Sequence, residues 1–140
     1  MSRIFWDTNL FIYLFEEFGV LSDRVRAVRR SMLDRGDQLL TSTLTLGELL
    51  VKPIEKGFPD VCKRYEEALV NSAILLPFDL RAATHYARLR CDRSIRAPDA
   101  IQLACAGAAG VDLFITNDDR LLTKRVDGIQ FLTSLRGAPL

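Results

Sequence analysis

Arg3-Ile4-Phe5-Trp6-Asp7 is a short apolar run that ends on a carboxylate, with Thr8-Asn9 beyond it. A run of this length suits a buried strand, and the bulky apolar residues from Leu10 to Phe18 suit a helix packed on a sheet and ended at Gly19. One buried strand followed at once by a helix is the opening of an α/β fold with a parallel sheet.

The rest of the chain keeps that alternation. From Ser22, the residues Val25, Val28 and Met32 recur at helical spacing with arginines between them, and Gly36 supplies the stop. Residues 38–42 read as a second strand, 44–52 as a helix cut off before Pro53, and 60–71 as a helix behind Pro59. Residues 73–76 predict a third strand, 80–91 and 98–109 two further helices, 111–115 a fourth strand and 129–132 a fifth. Strands separated by helices over the whole length predict a three-layer α/β sandwich with a central parallel sheet of four to five strands. The series Ala100, Ala104 and Ala108, with Gly107 beside it, lets its helix lie close against a neighbour. No internal repeat or linker interrupts residues 1–140, which are read as a single domain.

Composition narrows the function classes. A chain of 140 residues, 49% hydrophobic and 26% charged, is enough for one core. No apolar stretch is long enough to span a bilayer, and the first residues lack the pattern of a signal peptide, so a cytoplasmic location is expected. Cys62, Cys91 and Cys105 are odd in number, far apart and accompanied by one histidine, which speaks against a disulfide framework or a thiolate zinc site. They are expected as buried thiols, and His85 as a surface or half-buried helix residue. A net charge of +1 denies the argument for nucleic-acid binding that a strongly basic domain would give. Distribution matters more: Arg81, Arg88, Arg90, Arg93 and Arg96 face only Asp79 and Asp92, and Arg24, Arg26, Arg29 and Arg30 face only Asp23. Solvated helix faces explain such runs unless they border a site for a polyanion.

Carboxylates gather where strands end and helices begin. In parallel sheets, ligands bind beyond the carboxyl ends of the strands. Asp7 ends the first strand and Asp118 follows the fourth; Glu48 is expected in the first turn of the helix after the second strand, and Asp99 in the first turn of the helix starting at Pro98. Each has an ordinary explanation. Thr45-Leu46-Gly47-Glu48 matches a capping box, Asp99 suits a helix dipole, and Asp7, Asp118 or Asp119 suits an N-cap. Capping alone would scatter such residues over both edges of the sheet, whereas these fall at one. Crowded carboxylates repel one another, and a divalent cation relieves that repulsion. Oxygen-only donors favour Mg²⁺ or Mn²⁺ over Zn²⁺. Such an ion suits phosphodiester hydrolysis, because it activates water and neutralises charge on the leaving oxygen.

The segments Asp7-Thr8-Asn9, Ser42 with Thr43 to Glu48, Pro98 to Ala104, and Thr116-Asn117-Asp118 together resemble PIN-domain proteins, and among those the VapC-type toxins of bacterial toxin–antitoxin pairs. The resemblance covers essentially the whole chain. It implies a Mg²⁺- or Mn²⁺-dependent endoribonuclease, often a homodimer, neutralised by a cognate antitoxin. It further implies Asp7, Glu48, Asp99 and Asp118 as metal ligands and catalytic acids, with Asn9 and Thr116 as polar supports. Asp119 has no secure counterpart; Thr-Asn-Asp favours Asp118 as the fourth acid and leaves Asp119 as a cap or support. Arg96, closest in sequence to Asp99, and Arg93 beside it become candidates for holding RNA. Two other readings stand beside this one. A noncatalytic PIN-like module would bind RNA or protein without cutting. A metal-dependent phosphohydrolase would act on DNA or small phosphoesters; its haloacid-dehalogenase form would need an aspartate two positions after Asp7, where Asn9 stands, which weakens that form.

Overall fold

A computed structural model describes residues 1–140. Strands β1 (Arg3–Trp6), β2 (Gln38–Ser42), β3 (Ile74–Leu76), β4 (Val111–Thr116) and β5 (Ile129–Ser134) form one sheet in the order β3-β2-β1-β4-β5, with every neighbouring pair parallel. Six helices connect them: α1 (Thr8–Phe15), α2 (Val20–Arg35), α3 (Thr43–Glu55), α4 (Pro59–Ser72), α5 (Leu80–Leu89) and α6 (Ala97–Ala109). This is the expected three-layer architecture.

Alternation along β1 divides the interior into two cores. Ile4 and Trp6 point to one face, where they pack with Leu10 and Phe11 of α1 and with Val25, Val28 and Met32 of α2. Phe5 points to the other, where it meets Leu103 and Ala106 of α6. Phe5 and Phe114, register partners on β1 and β4, stack with ring centroids 4.9 Å apart. Full burial of side chains this large stabilises by roughly 1.5–3 kcal/mol each. The small residues of α6 serve close packing: a Cβ on Gly107 would stand 2.5 Å from the backbone oxygen of Asp127.

Element ends depart from expectation where local hydrogen bonds decide them. α1 spans Thr8–Phe15 rather than 10–18, because the Asp7 side chain caps it at Thr8. At its far end the Ser22 hydroxyl accepts from the Phe18 amide and donates to the Glu16 carbonyl, which stabilises the departing chain. α3 runs through Pro53 to Glu55; the proline ring is buried, and its φ suits a helix that forgoes one amide bond. The thiols also differ from expectation. Only Cys105 is buried, Cys62 is half-buried, and Cys91 is exposed where the chain turns after α5.

The chain passes outward from β1 through β2 to β3, then returns to the opposite side of β1 for β4 and β5. The order therefore reverses between β1 and β4, which is the place in such a sheet where a crevice opens.

Candidate active site

Asp7 stands at that crevice. β1 delivers it just beyond Trp6, which is in register with Ile115, and its own amide donates to the Ile115 carbonyl at 3.0 Å. Its carboxylate is nearly buried and accepts from the Thr8 amide at 2.8 Å and from the Thr116 hydroxyl at 2.8 Å. Burial pushes its pKa up to about 6, against those two hydrogen bonds, with the charges of Asp99 and Glu48 adding to the rise. Asp99, in the first turn of α6, is also held above the usual carboxylate range, first by burial and then by Asp118 and Glu48, with Arg96 opposing. The four acids thus act on one another electrostatically.

Glu48 does not form the capping box. α3 starts at Thr43 behind Ser42, so Thr45 lies inside the helix and Glu48 in its second turn. Its Oε1 instead accepts from the Thr8 hydroxyl at 2.6 Å, which draws the side chain toward Asp7. Asp118 caps the short 3₁₀ turn Asp119–Leu121, accepting from the Arg120 amide at 3.0 Å. Thr116 links the two strand ends, since its Oγ1 donates to Asp7 and accepts from the Asp118 amide at 3.1 Å.

The remaining expected residues are placed less centrally. Asn9 is exposed on α1. Asp119 is exposed and lines a cavity with Asn117, away from Asp118. Arg96 is largely exposed, with Nε 3.9 Å from Asp99 Oδ2, and Arg93 is exposed in the turn between α5 and α6. Sequence reasoning missed Arg120. Its guanidinium grips Asp118 with Nε at 2.9 Å and Nη2 at 2.5 Å, and Nη2 stands 3.9 Å from Asp99 Oδ2.

A buried polar network lies behind the acids. Gln102 Nε2 donates to Thr8 Oγ1 at 3.0 Å and to Thr45 Oγ1 at 2.8 Å, while its Oε1 accepts from the Ser42 hydroxyl. Thr41 Oγ1 lies 2.7 Å from Thr45 Oγ1 and donates to the Trp6 carbonyl at 2.9 Å. These bonds tie α6, β2, α3 and α1 together beneath Asp7 and Glu48. The one sequence signal was a glutamine between Ile101 and Leu103 on a helix of small apolar residues.

In chemistry, this donor set fits a hard divalent cation: carboxylate oxygens only, with Asp7 and Asp99 held above the usual range by burial first and then by the charges of neighbouring acids. In spacing, no three of these side chains stand close enough to grip one ion directly. Asp7 and Glu48 are occupied by threonine hydroxyls and Asp118 by Arg120.

The family model for the PIN domain matches residues 4–128. The chain belongs to the PIN-domain family. By structure, this PIN domain is similar to VapBC2 from Rickettsia felis bound to a promoter DNA fragment, at a TM-score of 0.75 and 15% identity over 94% of this chain and 98% of that one. It is similar also to FitAcB from Neisseria gonorrhoeae, at 0.75 and 22% over 96% and 99%. A toxin–antitoxin complex from Klebsiella pneumoniae matches at 0.66 and 21% over 90% and 94%. Among curated proteins, no sequence match is significant. No helix of this PIN domain is long and apolar enough to cross a membrane.

Proposed function

We propose that this PIN domain is a divalent-metal-dependent endoribonuclease, the toxin of a toxin–antitoxin pair. The observation that supports the reading is the placement of Asp7 just beyond β1 and Asp118 just beyond the adjacent β4, with burial first, and then the charges of neighbouring carboxylates including Glu48, holding Asp7 and Asp99 above the usual carboxylate range. Mg²⁺ or Mn²⁺ would be held among these four acids, where it would lower the pKa of the attacking water and neutralise charge on the leaving oxygen.

The chain's own residues orient the acids. Thr116 and the Thr8 amide fix the Asp7 carboxylate, Thr8 fixes Glu48, and the Gln102 network fixes Thr8. Arg96 and Arg93 supply positive charge beside an acidic site that would otherwise repel an RNA backbone. An antitoxin protein and a second copy of the chain are the proposed partners, in line with the toxin–antitoxin complex whose fold the chain shares. The cytoplasm is the proposed location.

The purified protein should cleave single-stranded RNA with Mn²⁺, and the variant combining Asp7→Asn with Asp99→Asn should not. Full cleavage by that variant contradicts the reading. The alternative, a noncatalytic module that binds RNA or protein, draws support from the engagement of Asp118 by Arg120. RNA binding by the wild type without cleavage in Mn²⁺ would decide for it.

A further inference from the structure

Asp118 is flanked by two residues that face different company. Asn117 and Asp119 line a cavity of about 420 Å³ together with Arg24 of α2, Arg136 beyond β5, and the apolar Leu21 and Leu135; neither Asp118 nor Asp99 takes part. A volume near this value falls within the range of small-ligand sites, about 300–1,000 Å³. Because consecutive Cα atoms are about 3.8 Å apart, the cavity begins within one residue of the acid site on either side of Asp118.

Its charges are uncommitted. Arg24, Arg136 and Asp119 take part in none of the protein's ion pairs, although Arg24 and Arg26 lie on the same helix and Arg26 pairs with both Glu17 and Asp23. The Arg24 guanidinium donates to the Arg136 main-chain carbonyl, which holds the Arg24 side chain at the cavity that Arg136 also lines. Asn117 donates from Nδ2 to the Tyr13 hydroxyl at 3.0 Å, which holds its amide in place at the rim. Two guanidiniums, one carboxylate outside any ion pair and an apolar wall form a set that matches a nucleotide: phosphate for the arginines, a base plane for the exposed Val20 and Leu21, and a base edge for Asp119.

We propose that this cavity is a subsite for one nucleotide of the RNA next to the scissile phosphate, with Arg24 and Arg136 on a flanking phosphate and Asp119 reading the base. The proposal rests on the ribonuclease reading. A carboxylate is an acceptor only, so it selects the base that offers two adjacent N–H donors on its pairing edge. That base is guanine; adenine, cytosine and uracil each set an acceptor beside their donor. Asp119 thereby gains a role distinct from that of Asp118.

Fluorescence anisotropy in EDTA separates binding from catalysis, using labelled hexauridylate and the same hexamer with one internal guanosine. The wild type should prefer the guanosine hexamer by about tenfold, the scale of one good bidentate base contact. Asp119→Asn, which places a donor where an acceptor was, should abolish most of that preference. Arg24→Ala and Arg136→Ala should weaken both hexamers and each reduce the slope of log K against log salt by about 0.7. Equal binding by the wild type and all three variants overturns the proposal. Cleavage mapping with Mn²⁺ separates it from the reading it rests on. Cuts whose positions are the same in the wild type and Asp119→Asn overturn the subsite and leave the nuclease standing. A guanosine preference lost in Asp119→Asn, without any cleavage by the wild type, supports the subsite and refutes the nuclease.

Discussion

Arg120 holds the Asp118 carboxylate with two guanidinium nitrogens, at 2.9 and 2.5 Å, and reaches to within 3.9 Å of Asp99. It therefore neutralises part of the charge that a cation would otherwise meet, and an ion recruiting Asp118 has to displace it. Arg120→Ala should bind Mn²⁺ more tightly than the wild type. The arginine side chain is about half exposed, so the contact is worth about 1 kcal/mol or less, up to roughly fivefold in affinity. A larger rise in melting temperature on adding Mn²⁺, compared with the wild type, is the expected result; an equal or smaller rise contradicts it.

Asp7 makes the metal-free protein sensitive to pH. Its folded-state pKa is about 6 against an ordinary value of 3.8, because burial disfavours the charged form. Between those values the folded protein binds a proton more readily than the unfolded chain, so stability falls as pH rises through the window. Above it the full cost applies, roughly 3 kcal/mol. Asp99, raised in the same direction, adds to the slope. Asp7→Asn should therefore melt higher than the wild type at pH 7.5 without metal, and nearly level with it at pH 4. A difference that does not change with pH contradicts this assignment.

Gln102 satisfies three hydroxyl partners in the buried network, those of Thr8, Thr45 and Ser42. Gln102→Leu keeps the volume roughly but strips these partners, and each buried polar group left unmatched costs about 1–3 kcal/mol. Urea unfolding should show a loss of at least about 2 kcal/mol. An unchanged midpoint would mean that the network relaxes without cost.

Gly107 tests the packing of α6. A Cβ there would lie 2.5 Å from the Asp127 backbone oxygen and 3.2 Å from His85 Nδ1, and the backbone contact is the less able to yield. Gly107→Ala should destabilise by about 1–3 kcal/mol despite alanine's better helix propensity. A stabilised variant contradicts the close approach.

The strand–helix alternation was legible because each strand is a short apolar run with turn or cap residues at its ends, and because Ile4, Phe5 and Trp6 fill both faces of the sheet. Adjacency of β1 and β4, on which the meeting of Asp7 and Asp118 depends, is not legible in the sequence, since no local pattern records which strands pair. The bounds of α1 and α3 are less legible, because the Asp7 side chain starts α1 two residues early, the bonds of Ser22 hold the chain that leaves it before Gly19, and α3 tolerates Pro53. The Gln102 network was hidden for a different reason. Apart from Thr41 and Thr45, its bonded partners lie 35 to 94 residues apart along the chain, so their hydrogen bonds have no periodicity to betray them. Glu48 looked like part of a cap because Thr45 stands three residues before it, and only the helix start at Thr43 shows otherwise.

The central claim is that Asp7, Glu48, Asp99 and Asp118 form one divalent-cation site. Electron paramagnetic resonance of Mn²⁺ added to the metal-free protein tests it most directly, because the signal of the free ion disappears on binding. The wild type should take up Mn²⁺ saturably, and Asp99→Asn should lose most of that uptake while remaining folded by circular dichroism. Undiminished Mn²⁺ binding by the folded Asp99→Asn variant would contradict the account.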